Sequence, residues 1–336
     1  MLRWGIIGTG FISHAMLRAI STSERSVVTA IAGRNKTALA ELQSQYSVDL
    51  GFTETDELLA SEQVDVVYIA LPNHLHAEAT AAAMAAGKPV LCEKSLTVTM
   101  DHADLLARAV RQSGLFFAEG LMYLSHPLME QFTALLRDPS LGSLRSVSGY
   151  YSADIWQVVN PEGGGTLYNL GCYPSSLLHL VVKTMCGEDA FSKRHISAHG
   201  LKNNDGNIQD TAAVIHFENG VLATLQSSDS HGMTHSFEIV TTTGKLRFDT
   251  NPWLPEAGVN RMIWQPYVGA AREILVKDEN DAFYHQTRMV ERALAQGQTE
   301  APRPAPRLSD SLEIMQFLAD WDAAAGASFQ PHATTA

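Results

Sequence analysis

The chain has 336 residues, of which 45% are apolar, 18% charged and 8% aromatic. That length exceeds what one hydrophobic core usually serves, so about two domains of ~150 residues are expected, and the composition excludes a disordered chain, a collagen-like repeat or a coiled-coil rod. With 24 Lys and Arg against 36 Asp and Glu the formal net charge is −12, which argues against nucleic acid and anionic membrane surfaces as partners.

The first third alternates short apolar runs with segments of helical period. Residues 4–8 read as a buried strand, followed by a helix over Phe11–Ser21 with Phe11, Ile12, Ala15, Met16, Ala19 and Ile20 along one stripe. A strand is expected at 27–32, a helix at Lys36–Tyr46, and at 64–70 a nearly continuous apolar run that suits a parallel strand covered on both faces. An alanine-rich helix at 76–86 stops at Gly87, a strand follows at 89–93, Thr99 caps the next helix, Gly114 ends it, and residues 115–118 form a further strand. Each parallel strand needs a crossover, so this alternation predicts an α/β Rossmann domain with a doubly wound parallel sheet over residues 1–123.

After residue 123 the rhythm changes. A helix opened by Pro127 carries Leu128, Phe132, Leu135 and Leu136 inward, and strands then dominate. Asn219-Gly220, between two β-rich runs, predicts a hairpin with a type I′ turn, and Gly244 marks a second turn. Pro302, Pro304 and Pro306 form a stiff connection into a last helix at 309–323. Residues 124–326 are expected to form an α+β domain with a mostly antiparallel sheet for substrate binding and assembly, and 327–336 a C-terminal tail.

Cys92, Cys172 and Cys186 are widely spaced with no CxxC pair, so neither a disulfide framework nor a cysteine metal site is indicated and a cytoplasmic setting is expected. The N-terminal apolar stretch is too short for a signal-peptide core, and no apolar run reaches the ~18 residues of a membrane helix. His74 with His76, and His231 with His235, form pairs without further ligands, so no metal is expected.

Gly8, Thr9 and Gly10 follow the first strand and open the first helix, with Phe11 and Ile12 on its first turn, the context of a dinucleotide fingerprint. Gly8 suits the tight turn, Gly10 lets backbone approach a pyrophosphate at the positive helix end, and Ser13 stands where a third glycine is usual. The second strand ends in Gly33, Arg34, Asn35 and Lys36, with no carboxylate to hold an NAD ribose and two cations able to meet a 2′-phosphate. NADP(H) is therefore the preferred cofactor, with NAD(H) possible; solvated loop charges are the alternative reading of Arg34 and Lys36.

Together with Ala70-Leu71-Pro72-Asn73-His74-Leu75-His76, Ala86-Gly87-Lys88-Pro89-Val90-Leu91-Cys92-Glu93-Lys94 and Gly163-Gly164-Gly165-Thr166-Leu167-Tyr168-Asn169-Leu170-Gly171-Cys172-Tyr173, the fingerprint resembles the Gfo/Idh/MocA family of nicotinamide-dependent oxidoreductases over most of the chain. The resemblance implies that Leu71, Pro72, Asn73 and His76 border the nicotinamide half of the cofactor, with Glu93 and Lys94 beside it. Lys94, at the carboxyl ends of parallel strands, can hydrogen-bond a substrate oxygen and favour a developing alkoxide. The Asp-x-Gly-x-His or Asp-x-Gly-x-Tyr stretch of the family reads Asn169 to Tyr173 here, which resembles the tyrosine branch containing glucose-fructose oxidoreductase and dimeric dihydrodiol dehydrogenase.

By that resemblance Tyr173 passes the proton, Lys94 orients the reacting oxygen and Asn169 holds the substrate or the lysine. Trp156 is a candidate ring for stacking on substrate. The implied reaction is hydride transfer to or from a CH–OH or C=O carbon of a small sugar, polyol or cyclic diol, in a homodimer or homotetramer. A nucleotide-sugar ketoreductase and a non-catalytic dinucleotide-binding regulator are the alternatives. Two departures bear on activity: Ser95 stands where the family usually has proline, and Asn169 where it has aspartate. Pro174 interrupts any simple helix through Tyr173.

Overall fold

The computed structural model describes residues 1–326, and the expected tail at 327–336 lies outside the described residues. Two compact units form, each discontinuous in sequence. The first takes residues 1–130, 254–259 and 277–312; the second takes 131–253, 260–276 and the chain from 313 on.

In the first unit the chain runs β1 (Leu2–Ile7), α1 (Phe11–Ser21), β2 (Ser26–Ala32), α2 (Lys36–Tyr46), β3 (Leu50–Phe52), α3 (Thr55–Ala60), β4 (Val66–Ile69), α4 (His76–Ala85), β5 (Val90–Glu93), α5 (Met100–Ser113) and β6 (Phe117–Gly120). The sheet order is β3-β2-β1-β4-β5-β6, with every pair parallel. This is the doubly wound order, and its direction reverses between β1 and β4, where such sheets bind ligands beyond their carboxyl ends. All four residues of β4 are buried, as its unbroken apolar run requires.

Local chemistry sets the helix ends. Asn35 Oδ1 accepts from the N–H groups of Thr37 and Ala38 at 3.1 and 3.2 Å, and Thr99 Oγ1 accepts from His102 N at 3.3 Å. Three details differ from the sequence reading. The short β3 and α3 were not expected, because three and six residues carry too little periodicity to register. The strand expected at 115–118 begins at Phe117, since Leu115 N donates to Ser113 Oγ at 3.1 Å and stays in the turn.

The core of this unit joins Trp4, Ile6, Met16, Ile20, Ile31 and Tyr68 to Met289, Val290 and Ala293 of α8 (Ala282–Ala295). A polar clamp fixes the same junction: Ser23 Oγ and Ser26 Oγ donate to Glu291 Oε1 at 2.5 and 2.6 Å, and Arg288 Nη1 meets Glu291 Oε2 at 2.6 Å. A segment far along the chain thus completes the first hydrophobic core.

Helix α6 (Pro127–Leu136) buries Leu128, Phe132, Leu135 and Leu136, as its spacing predicts. The eight-stranded sheet of the second unit comprises β7 (Leu144–Ala153), β8 (Arg194–Lys202), β9 (Ile208–Phe217), β10 (Leu222–Ser228), β11 (Met233–Thr241), β12 (Gly244–Phe248), β13 (Gly258–Pro266) and β14 (Arg272–Asp278). Its order is β14-β13-β12-β11-β7-β10-β9-β8; the β7–β10 pair is parallel, and the pairs β8–β9, β9–β10, β7–β11, β11–β12 and β12–β13 are antiparallel. The last helix, α9, spans Leu308–Gly326.

The β9–β10 hairpin is present, but its turn is not type I′. Only Gly220 has positive φ, at 86°, and Gly220 N donates to Phe217 O at 2.9 Å while Phe217 N donates to Val221 O at 3.0 Å. A three-residue loop with glycine in the left-handed position closes it, and Asn219 instead accepts from Val221 N through its side chain at 3.1 Å. Gly244 is the first residue of β12 rather than a turn residue. Pro174 does not break the helix. Leu167–Gly171 form a π-helical turn that runs into α7 (Cys172–Cys186), so the proline falls in the first turn of the α-helix, where a backbone N–H has least need of a partner.

Candidate active site

Three loops leave the carboxyl ends of β1, β4 and β5 in the first unit, and they carry the expected cofactor residues. Gly8 has φ +117°, and a Cβ there would collide with the Ala70 carbonyl, so only glycine permits the turn. Gly10 caps α1, and no atom lies within 4 Å of where its Cβ would stand. Phe11 beside it is 87% exposed and Ile12 is half-buried. Ser13 fills the usual third-glycine position and closes the turn itself, its Oγ donating to Gly8 O at 2.9 Å.

The result is an open, glycine-lined cradle at a helix N-terminus, and these residues fit a dinucleotide pyrophosphate. Gly33 packs against Thr9, whose methyl occupies the space a Cβ would need. Arg34 and Lys36 are exposed, and neither forms an ion pair or side-chain hydrogen bond among the described residues.

After β4, Pro72 leads into a short 3-10 turn over Asn73–Leu75, with Asn73 buried and Leu71 half-buried. His76 is fully buried. Its Nδ1 lies 2.8 Å from Ser95 O and its Nε2 2.8 Å from Leu71 O, and burial is the main reason its pKa falls to about 4. The imidazole is therefore neutral and carries one N–H, so it donates to one of these carbonyl oxygens and packs against the other, linking the two loops.

Lys94 is half-buried after β5, and the Lys94–Ser95 peptide is cis although serine, not proline, follows the lysine. Two buried carboxyls accompany it. Glu93 accepts from Tyr68 Oη at 2.5 Å and from Lys94 N at 3.3 Å. Glu119, across the β5–β6 ladder from Cys92, was not anticipated; a glutamate directly after the apolar run Phe116 to Ala118 was the available signal. Burial raises both pKa values, that of Glu119 to about 7, while the Lys94 charge favours the ionised form of each. The lysine thus has acidic company within its own unit, without a carboxylate at position 169.

In the second unit, the π-helical turn positions Asn169 and Tyr173 one helical turn apart. Thr166 anchors the turn to β10: its Oγ1 and Ser227 Oγ are 2.7 Å apart, and Ser227 Oγ is 3.2 Å from Thr166 O. Tyr173 is 6% exposed and sits in an aromatic group, edge-on to Tyr151 at 5.4 Å and tilted to Trp253 at 6.4 Å. Burial pushes Tyr151 up to about 12, so that phenol stays protonated.

Trp156 is 47% exposed in the loop after β7, its backbone N–H donating to Asp229 O at 3.0 Å. Asp229, also unanticipated, is 2% exposed. Burial raises its pKa to about 6 and neighbouring Asp210 pushes the same way, while its own backbone N–H and the Asn169 side chain favour ionisation. His231, one of the paired histidines, approaches Ser228 Oγ and Ser230 Oγ, each at 3.0 Å, through Nδ1.

These features define a dinucleotide-binding oxidoreductase: a Rossmann unit with an open fingerprint, and a sheet-based unit carrying acid–base and aromatic side chains. The chain belongs to the GFO/IDH/MocA oxidoreductase family. Residues 2–121 match the family's NAD-binding Rossmann domain and residues 129–247 its C-terminal domain. Among relatives, D-xylose 1-dehydrogenase (NADP(+)) 2 of Haloferax volcanii is 26% identical over 333 residues, 94% of this chain and 95% of the relative. Trans-1,2-dihydrobenzene-1,2-diol dehydrogenase of Bos taurus is 29% identical over 262 residues, 76% of each chain. A 3-ketoreductase from Actinomadura kijaniata, solved in complex with NADP, superposes with a TM-score of 0.82 at 26% identity, covering 96% of this chain and 97% of that one.

Proposed function

We propose that the protein is an NADP(H)-dependent oxidoreductase that moves a hydride to or from a CH–OH/C=O carbon of a sugar, polyol or cyclic diol. The observation that carries this reading is the open Gly8–Gly10 cradle combined with the uncommitted cations Arg34 and Lys36, and no carboxylate, at the end of β2. A 2′-phosphate suits such a pair, whereas a plain ribose pair of hydroxyls would call for an acid there.

In the oxidation direction the substrate O–H proton passes to the Tyr173 phenolate. The C–H bond breaks, and its electron pair leaves as hydride while the C=O bond forms. NADP+ supplies the hydride acceptor. Lys94 holds the oxygen and stabilises the alkoxide character that develops on it, and Asn169 hydrogen-bonds a second hydroxyl. Reduction reverses each step, with Tyr173 donating the proton. Trp156 offers an exposed ring edge to the substrate. Leu71, Pro72, Asn73 and Glu93 shape the cofactor pocket, with His76 holding the loops around it.

The nucleotide-sugar ketoreductase reading is favoured by one observation, the near full-length superposition on the 3-ketoreductase. Fluorescence titration with NADPH and NADH, followed by a panel of free sugars, cyclic diols and nucleotide-linked keto-sugars monitored at the nicotinamide absorbance, tests both readings. Tighter NADPH binding with turnover of free sugars or diols supports the first; turnover of nucleotide sugars alone supports the second. NADPH binding with no turnover across the panel makes the protein a dinucleotide-binding regulator.

The same reading includes a homodimer or homotetramer and a cytoplasmic location. Val214 and Leu222, 53% and 48% exposed on adjacent strands of the second sheet, support self-association, and the free cysteines support a reducing compartment. No helix among the described residues is long and apolar enough to cross a membrane. Light scattering coupled to gel filtration reads the oligomeric state.

A further inference from the structure

The strand order forces a crossing at the end of β7. That strand lies between β10, which runs parallel to it, and β11, which runs antiparallel. Residues 229–232, which join β10 to β11, therefore pass over the point where the chain leaves β7. Three N–H groups of the departing chain donate into this strap: Asp154 N to Gly232 O at 2.9 Å, and Ile155 N and Trp156 N to Asp229 O at 3.1 and 3.0 Å. The backbone that carries Trp156 is held by the strap, so the placement of the indole follows the strap's own conformation.

One side chain pins the strap. His231 Nδ1 lies 3.0 Å from both Ser228 Oγ and Ser230 Oγ, and its Nε2 lies 3.2 Å from Tyr150 Oη on β7. Both serine hydroxyls donate to Asp210 Oδ1 on β9, that of Ser230 at 2.7 Å. Each hydroxyl has a single hydrogen, already committed to the carboxylate, so the serine oxygens can only accept from the ring and His231 carries a hydrogen on Nδ1. The imidazole thus ties the strap to β7, β9 and the end of β10 at once. Its side chain remains 60% exposed, so its removal opens no cavity in the core.

We propose that His231 is a positioning residue for substrate that acts through Trp156. It fixes the strap, the strap fixes the loop after β7 through three main-chain hydrogen bonds, and the loop sets the plane of the indole. A loosened strap lets the indole sample several orientations. Cyclic substrates suffer most from that, because a flat ring or the apolar face of a sugar needs a defined aromatic plane to pack on, whereas an acyclic polyol presents no such face. The inference rests on the reading of Trp156 as a substrate contact and deepens it.

The test combines His231→Ala, His231→Asn, Trp156→Ala and the double variant His231→Ala/Trp156→Ala, assayed with NADP(H) and the best cyclic substrate of the panel. His231→Ala is expected to raise substrate KM about fivefold, with kcat within about twofold and NADPH affinity unchanged. His231→Asn places an amide N–H near the Nδ1 position and is expected to stay within about twofold of wild type. The double variant should match Trp156→Ala alone, because the histidine then has no indole left to position.

Fluorescence supplies a readout without substrate. Trp4, Trp253 and Trp321 are fully buried and Trp264 is half-buried, so subtracting the signal of Trp156→Phe isolates the exposed indole. Its anisotropy is expected to fall in His231→Ala and to recover in His231→Asn.

A merely structural role would lower the melting temperature and kcat together with the rise in KM, and Trp156→Ala would not cancel it. Additive effects in the double variant, or unchanged Trp156 anisotropy in His231→Ala, overturn the inference and leave the oxidoreductase reading standing. An unchanged KM in Trp156→Ala removes the substrate contact and the inference with it, while loss of turnover in Lys94→Ala and Tyr173→Phe keeps the reaction. Should no panel compound turn over, the anisotropy decides alone: a fall in His231→Ala that His231→Asn restores supports the inference, and no change overturns it.

Discussion

His76 ties the loop after β4 to the loop after β5: one ring nitrogen meets Leu71 O and the other Ser95 O, each at 2.8 Å. The residue after Lys94 is thus held by a side chain from a different crossover. Replacing His76 with Leu keeps the volume and deletes the single N–H that a neutral imidazole donates, leaving a carbonyl without its donor. That loss costs about 1–3 kcal/mol. The expected outcome is a melting temperature lower by several degrees and kcat reduced about tenfold, read by calorimetry and steady-state assay.

The same histidine makes stability depend on acid. Its folded pKa of about 4 lies below the ordinary imidazole value of 6.5, so between those values the unfolded chain binds more protons. Stability from this site is complete above pH 6.5 and falls as pH drops toward 4. His126, also lowered to about 4 mainly by burial, acts in the same window. Denaturant melts at pH 7 and pH 5 should show a loss at pH 5 that shrinks in His76→Leu.

Glu119 works in the opposite sense. Its folded pKa of about 7 exceeds 4.5, so the folded state holds the extra proton between those values and this site favours folding progressively less as pH rises from 4.5 to 7. Glu119→Gln should raise the melting temperature at pH 8 by a few degrees and change it little at pH 5. A variant less stable at both pH values would show that the carboxyl is bound as an anion.

The fingerprint glycines separate stability from binding. Gly8→Ala forces a side chain into the Ala70 carbonyl at positive φ, so loss of both stability and dinucleotide binding is expected. At Gly10 an added methyl meets open space, so Gly10→Ala should melt as wild type while binding NADPH at least tenfold more weakly. Thermal melts alongside fluorescence titration distinguish the two.

Arg34 sets cofactor choice. A charge-assisted contact to a phosphate contributes about 1.5–3 kcal/mol, so Arg34→Ala should weaken NADPH binding roughly ten- to hundredfold and NADH binding far less. Equal weakening of both would make Arg34 a general contact and not a reader of the 2′-phosphate.

Much of the first unit was legible because its signals are local: a glycine pair between strand and helix, an unbroken apolar run for β4, a cap at Thr99. Non-local relationships were not. Nothing near Glu291 announces that it will accept from Ser23 and Ser26. The hairpin at Asn219-Gly220 was placed correctly and its turn type was not, because the Asn219 side chain caps Val221 N and lets the residue keep negative φ. At Pro174, the expected break is absorbed by a π-helical turn that only the packing of Thr166 on Ser227 makes understandable. The departure at Ser95 was visible, but not that His76 would hold its carbonyl.

The central claim is that Lys94 and Tyr173 carry the chemistry on a dinucleotide held by the first unit. Its most direct test is turnover of the best panel substrate with NADP(H) by Lys94→Ala and Tyr173→Phe, with NADPH affinity measured on the same samples. Removing a positioned acid–base group costs roughly 100- to 10,000-fold in rate. The account predicts a loss of that size in both variants with NADPH affinity within a few-fold of wild type; turnover at the wild-type rate in either variant would contradict it.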